Sequence, residues 1–216
     1  MIKYPPVKFW EYFKNTNGAM SSAEAIFMYN TCLMVKDIGN WVEMGTAYGK
    51  SAIVSLMAWI DREEHLFVML EPNENIIKEA QENIVSFKKE FGGKIICPIV
   101  QEYSTGYLDR ENGFSYIMWD TGSHGQELVS LEKPLIDKKI ISGGILIMHD
   151  INSQFTACTN AYKELIFSGK YEPIEFSWKE IFDYVIENNL EEGNKSWHLY
   201  PELNHPPNFI GAVIKK

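Results

Sequence analysis

The sequence predicts one α/β domain, built on a seven-stranded, mostly parallel sheet with helices on both faces and an N-terminal helical cap. Three observations lead there. Seven short apolar segments fit strands, at 41–44, 65–70, 95–100, 114–119, 145–148, 171–176 and 209–214. The first five are spaced for helical crossovers, the pattern of consecutive βαβ units. Trp41 to Ser51 condenses the start of such a unit: a buried strand, a turn carrying Gly45 and Gly49, then the apolar run Ala52 to Ile60, long enough for a buried helix.

Residues 1–40 read as the cap. A short helix over Lys8 to Lys14 breaks at Asn15-Thr-Asn-Gly18, and a second is capped by Ser21 or Ser22 with Glu24 in its first turn. Its Ala25, Met28, Tyr29, Cys32 and Leu33 recur at helical spacing. A core spans 41–176. Within it His65 to Leu70 is a continuous apolar strand, and Asn73 caps a helix from Glu74 to about Lys89 that Gly92-Gly93 ends. Ile95 to Val100 is the third strand, and Gln101 to Ser104 reads as a loop. Phe114 to Trp119 is apolar throughout, hence central. Gln126 to about Glu132 is helical, with Pro134 expected to open a new turn. Ser142-Gly-Gly144 leads into strand Ile145 to Met148, and Ala157, Ala161 and Leu165 mark a helix packing back on the sheet. The last two strands need no helical crossover, so an antiparallel closing pair is expected. Between them 177–208 forms an insert, a lid candidate, with Ile181, Phe182, Val185 and Ile186 marking a helix inside it.

Composition narrows the function. With 216 residues, 45% of them hydrophobic, the chain can bury one full core. A net charge of −9 argues against nucleic acid, whose binding rests on lysine and arginine neutralising phosphates. Cys32, Cys97 and Cys158 form no Cys-x-x-Cys pair, so neither a disulfide framework nor a zinc knuckle is indicated. The opening Met-Ile-Lys-Tyr-Pro-Pro lacks the apolar core of a signal peptide, and no apolar run approaches the roughly 20 residues of a membrane span. A cytoplasmic protein with a small-molecule substrate is expected, away from membranes; self-association is compatible with the sequence.

The glycine turn aims unpaired N–H groups at a ligand, and its spacing discriminates among ligands. A dinucleotide fingerprint needs glycine at the places of Gly45, Ala47 and Lys50, and only the first is glycine. Glu43, at the end of the strand, repels a pyrophosphate but suits a ligand carrying an ammonium and a sulfonium. The phrase Val-Glu-Met-Gly-Thr-x-x-Gly-Lys-Ser resembles motif I of the class I S-adenosylmethionine-dependent methyltransferases. It is similar to the branch holding macrocin-type sugar O-methyltransferases and cephalosporin-hydroxylase-like proteins, as is Gly-Gly-Ile-Leu-Ile-Met-His-Asp at 143–150. The resemblance implies a Rossmann-like fold and S-adenosylmethionine as cofactor. Its site would take Glu43, Gly45, Thr46, Ala47, Tyr48, Gly49 and Ser51 from the motif, Glu71 and Pro72 from the second strand end, and Asp120 from the fourth. Glu71 is placed for the ribose hydroxyls. Tyr103 and Ser104 fall where that family reads the adenine, and Met20 and Ser21 where it borders the cofactor pocket.

Methyl transfer to a hydroxyl needs the acceptor aligned and its proton removed. The resembled branch carries Asp-Asp-Gly-Ser-His after its fourth strand, with the His as base and the second Asp on magnesium. Here the phrase is Asp120-Thr121-Gly122-Ser123-His124, so His124 is the expected base and Thr121 stands at the metal-binding acid. The paired acids ending the fifth strand are replaced by His149-Asp150. His149 is the second catalytic candidate, and Asp120 and Asp150 are the candidate ligands of a divalent ion such as Mg²⁺, fewer than that branch offers. The expected activity is methyl transfer to an oxygen of a sugar or natural-product intermediate. Two rivals remain: a cofactor-binding protein without transferase activity, and a nicotinamide oxidoreductase, disfavoured by Ala47 and Lys50.

Overall fold

Strand β1 (Asn40–Met44) lies beside the middle strand of the sheet, and its apolar residues alternate between two hydrophobic cores. Trp41 faces one, Val42 and Met44 the other, the period-2 consequence of strand geometry. The structure, a computed structural model, describes residues 1–121, 125–151, 156–190 and 210–216. Around β1 lie β2 (Phe67–Leu70), β3 (Ile99–Val100), β4 (Phe114–Trp119), β5 (Ile140–His149), β6 (Tyr171–Ile174) and β7 (Ile210–Lys215). Their order is β3-β2-β1-β4-β5-β7-β6. β1 to β5 pair in parallel, whereas β7 runs antiparallel to both β5 and β6, the expected antiparallel closing pair.

One face is covered by α1 (Val7–Asn15), α2 (Ser22–Leu33), α3 (Lys50–Ala58), α4 (Glu74–Phe91) and α8 (Trp178–Glu187). The other carries α5 (Ser104–Arg110), α6 (Gln126–Lys139) and α7 (Thr156–Phe167). α2 starts with a full capping box: the Ser21 hydroxyl accepts from the Glu24 N–H, and the Glu24 carboxylate accepts from the Ser21 N–H. Asn73 caps α4 as expected. No described helix is long and apolar enough to cross a membrane.

Several elements differ from the sequence expectation, each for a physical reason. α6 runs unbroken through Pro134 to Lys139. Proline removes one N–H and frees one carbonyl, that of Ser130; both residues are exposed, so solvent can reach that carbonyl, while Val129 and Ile136 hold the buried face. The loop expected from Gln101 ends at Ser104, where α5 begins, a helix the sequence did not announce; Gly106 and only two buried residues, Ser104 and Leu108, hide its helical period. β3 has only two residues, because Pro98 cannot donate to the ladder, and a lone bridge from Leu66 to Ile96 precedes it. β5 begins at Ile140, earlier than expected, through a bulge: β4 advances from Phe114 to Tyr116 while β5 advances from Ile140 to Ile145. Gly144 is needed there, since a Cβ would lie 2.7 Å from Ile140 and 2.9 Å from the Phe114 carbonyl oxygen.

The helix expected inside the insert exists, but it is docked. Ile181 and Val185 of α8 are buried, Trp178 stacks on Phe27 at 5.1 Å and Tyr184 on Tyr4 at 3.7 Å. The Ser22 hydroxyl donates to the Leu190 carbonyl at 2.8 Å. The first part of the insert is therefore core, and the remainder of the lid expectation, 191–208, lies outside the described residues.

Candidate functional site

Strand register lines up four carboxyl ends. Met44 pairs with Leu70 on one side and Trp119 on the other, and Trp119 pairs with Met148. The next residues, Gly45, Glu71, Asp120 and His149, therefore emerge along one edge, where an open parallel sheet holds its ligands. Gly45 has φ +85, and a Cβ on it would sit 1.9 Å from the Asp120 carbonyl oxygen, so only glycine fits between the two strand ends. Gly49 caps α3 in the same left-handed region.

Two cavities open along this edge. The larger, about 840 Å³, is lined by Gly45, Glu71, Pro72, Tyr103, Ser104 and Thr121 among others. The smaller, about 50 Å³, is lined by Met20, Thr46, Tyr48, Lys50, Ser51 and His149. Gly45, Ala47 and Asp120 line both and form the seam.

On the larger side the polar groups are held. One Glu71 carboxylate oxygen accepts from the Ala47 N–H and the other from the Asn73 N–H, both at 3.0 Å. This secures Ala47 at φ +46, a conformation costly for a residue with a Cβ. Tyr103 stands exposed at the mouth. The Ser104 and Thr121 hydroxyls both donate to the fully buried Glu132 carboxylate of α6, which also accepts from the Trp119 indole N–H at 2.6 Å.

On the smaller side several polar atoms are buried without hydrogen-bond partners: Glu43 Oε2, Thr46 Oγ1, Glu24 Oε1 and both ring nitrogens of His149. Glu43 lies beneath the turn with its other oxygen accepting from Ser51. Burial pushes its carboxyl up to about 8. His149 sits among three acids, with Nε2 3.4 Å from Glu24 and Nδ1 3.4 Å from Asp150 and 3.5 Å from Asp120. None of these contacts has the alignment of a hydrogen bond. Burial disfavours the imidazolium, but the attraction of Asp120, Asp150 and Glu24 outweighs it and holds the His149 pKa well above the ordinary histidine value. Asp150 follows at φ +57. Asp120, His149 and Asp150 each offer a ligand atom within 4.8 Å of the others.

The sequence-designated residues of the glycine turn, Glu71, Pro72, Tyr103, Ser104, Asp120, His149 and Asp150 thus converge on one edge. Several of them are already engaged within the fold, among them Ser51 with Glu43, Ser104 with Glu132, and Glu71 with the Ala47 and Asn73 N–H groups. His124 lies outside the described residues. Two acids went unassigned by the sequence reading. Glu24 gave a signal only as a capping-box residue. Glu132 gave a better one, since it shares the buried stripe of Val129 and Ile136 at helical spacing, where a charged residue needs partners.

With this geometry in place, the chain can be set beside known proteins. No family model and no curated protein matches the sequence. Solved structures do match. An O-methyltransferase from Bacillus cereus, crystallised with S-adenosylhomocysteine, superposes with a TM-score of 0.61 at 15% identity, over 98% of this chain and 92% of that one. The O-methyltransferase TomG from Streptomyces achromogenes, in complex with S-adenosylmethionine, gives 0.60 at 11% identity, covering 100% and 92%. The methyltransferase PaMTH1 from Podospora anserina, bound to S-adenosylhomocysteine, gives 0.59 at 13% identity, covering 97% and 87%. The chain has a methyltransferase fold. At these identities the likeness concerns architecture, and the chemistry must be argued from this chain's own residues.

Proposed function

We propose that the chain is an S-adenosylmethionine-dependent methyltransferase that methylates an oxygen of a small molecule, such as a sugar or a natural-product intermediate. The carrying observation is the seam: a large cavity ending in a ribose-type acid joins, through Gly45, Ala47 and Asp120, a small one lined by Thr46, whose buried hydroxyl oxygen has no hydrogen-bond partner, with Glu43 buried beneath the same turn. That shape and polarity fit a ligand with a nucleoside at one end and an ammonium at the other. The cofactors in the Bacillus cereus and Streptomyces achromogenes structures are of that kind.

Glu71 would accept from the ribose hydroxyls and Thr46 Oγ1 from the ammonium, whose positive charge would favour loss of the proton that burial keeps on Glu43 beneath the turn. Bound there, the cofactor supplies a methyl carbon on a positively charged sulfur. His124 is the proposed base for the acceptor hydroxyl. The residues flanking its stretch, Thr121 and Gly125, both line the large cavity. His149 is not the base, because an imidazole that already carries its proton cannot take another. It acts as a fixed cation that lets Glu24, Asp120 and Asp150 stand close together.

Calorimetric titration with S-adenosylhomocysteine and NAD tests the reading. Binding of the former alone is expected; binding of NAD alone would reject it, and binding without turnover across a panel of hydroxylated acceptors would favour a cofactor-binding role. A divalent ion is a second reading, favoured by the grouping of Asp120, His149 and Asp150. Two carboxylates and an imidazole suit a borderline transition ion better than magnesium, and ligation requires His149 to be neutral. Activity that survives a chelator supports the base route; complete loss restored by added metal supports the ion.

A further inference from the structure

The Glu132 cage gives one wall of the larger cavity a fixed polarity. A hydroxyl has a single proton. In Ser104 and Thr121 that proton goes to Glu132, so toward the cavity each oxygen can only accept. Both residues line the cavity, and Glu132 itself is wholly buried beneath them, pinned further by the indole N–H of Trp119, a group that can only donate. The three donors come from separate places: Ser104 opens α5, Trp119 ends β4, and Thr121 begins the segment that leads to α6.

We infer that Glu132 is a positioning residue that sets ligand specificity, by turning the Ser104 and Thr121 hydroxyls into acceptors that select a purine with a 6-amino group over one with a 6-oxo group. This rests on the adenosyl-cofactor reading and refines it. An exocyclic amine donates into such a wall. A carbonyl in the same place sets lone pair against lone pair and leaves the wall oxygens unpaired, the kind of mismatch by which polar sites reject analogues. Glu132 touches no part of the ligand in this account and acts through the two hydroxyls.

The test compares binding of S-adenosylhomocysteine with its 6-oxo analogue, S-inosylhomocysteine, by calorimetry. Wild-type protein is expected to prefer the amino form by about tenfold or more. In Glu132→Gln the amide can donate to a hydroxyl and release that hydroxyl's proton toward the cavity, so the preference is expected to fall to within about threefold, with the oxo form gaining affinity in absolute terms. Thr121→Val, nearly isosteric, removes one acceptor and leaves Glu132 in place; an intermediate preference is expected, and this variant decides the matter if Glu132→Gln does not fold. A structural role would weaken both ligands in parallel and keep the ratio, which would overturn the inference. Equal affinities in wild type would overturn it too while leaving the cofactor reading intact. Failure of wild type to bind either nucleoside would reject the cofactor reading itself, and the inference with it.

Discussion

The two halves of the cleft are built from the same strand ends but finished in opposite ways. Around the large cavity, Glu71 is held by two backbone N–H groups, and Glu132 by three donors. Around the small one, Glu24, Glu43, Thr46 and His149 keep buried atoms without hydrogen bonds. The first half is preorganised and needs little rearrangement to receive a neutral nucleoside. The second is electrostatically tense, as a region is when its polar atoms await charge brought by a ligand. Sites that recognise need the first arrangement, and sites that do chemistry tolerate the second.

The largest effect that would sharpen this contrast is on turnover. His124→Ala is expected to lower kcat by roughly a hundredfold to ten-thousandfold while cofactor affinity stays put. Full activity in that variant would remove the proposed base.

Next comes the charged cluster. His149→Ala leaves three carboxylates facing one another and is expected to cost about 3–5 kcal/mol of stability at neutral pH. Because the folded-state pKa of His149 is raised, its stabilising contribution is complete below the ordinary histidine value near 6.5 and is lost as pH rises through the folded value. The deficit in the variant should therefore be full in mild acid and shrink in alkaline solution, where the wild-type imidazole loses its proton. Chemical denaturation at pH 6 and pH 9.5 checks this, and an equal deficit at both would deny that the three acids hold His149 charged.

On the preorganised side, Glu71→Ala is expected to weaken S-adenosylhomocysteine binding by about 2–4 kcal/mol, since two charge-assisted hydrogen bonds to the ribose are lost. The turn at Ala47 loses its anchor in the same variant. Unchanged affinity would place the ribose elsewhere.

The smallest effect concerns Glu43. Its folded pKa is raised from 4.5 to about 8, so the folded chain keeps a proton that the unfolded chain has released. Stability should fall as pH rises between those values, by at most about 1.4 kcal/mol per pH unit, and level off above. Glu43→Gln should flatten that slope and be relatively more stable at pH 9. Parallel thermal-melting profiles for the two proteins would contradict it.

Much of the frame was legible because it is local. The strand, glycine turn and helix from Trp41 to Ser51 carry their own period and their own punctuation, and Glu71 falls at a strand end that an apolar run announces. What escaped depends on layers meeting. Glu24 reaches His149 across 125 positions of sequence, from a cap helix onto a central strand, and no spacing rule connects them. Ser104, Trp119 and Thr121 meet Glu132 only where α5, the end of β4 and α6 pack together, and no spacing rule joins them to it. His149 was legible as a site residue but not as a cation, since its charge follows from three acids gathered around it in space.

Glu71 has a mechanical side as well. Its two oxygens grip the loop after β1, at Ala47, and the loop after β2, at Asn73. One side chain thus rivets two consecutive units of the fold, and its length sets the gap between them. A ligand hydroxyl that takes hold of the same carboxylate pulls on both loops together, so the crevice would tighten as a pair of jaws on a shared pin. Aspartate, one methylene shorter, would have to narrow that gap or let one jaw go.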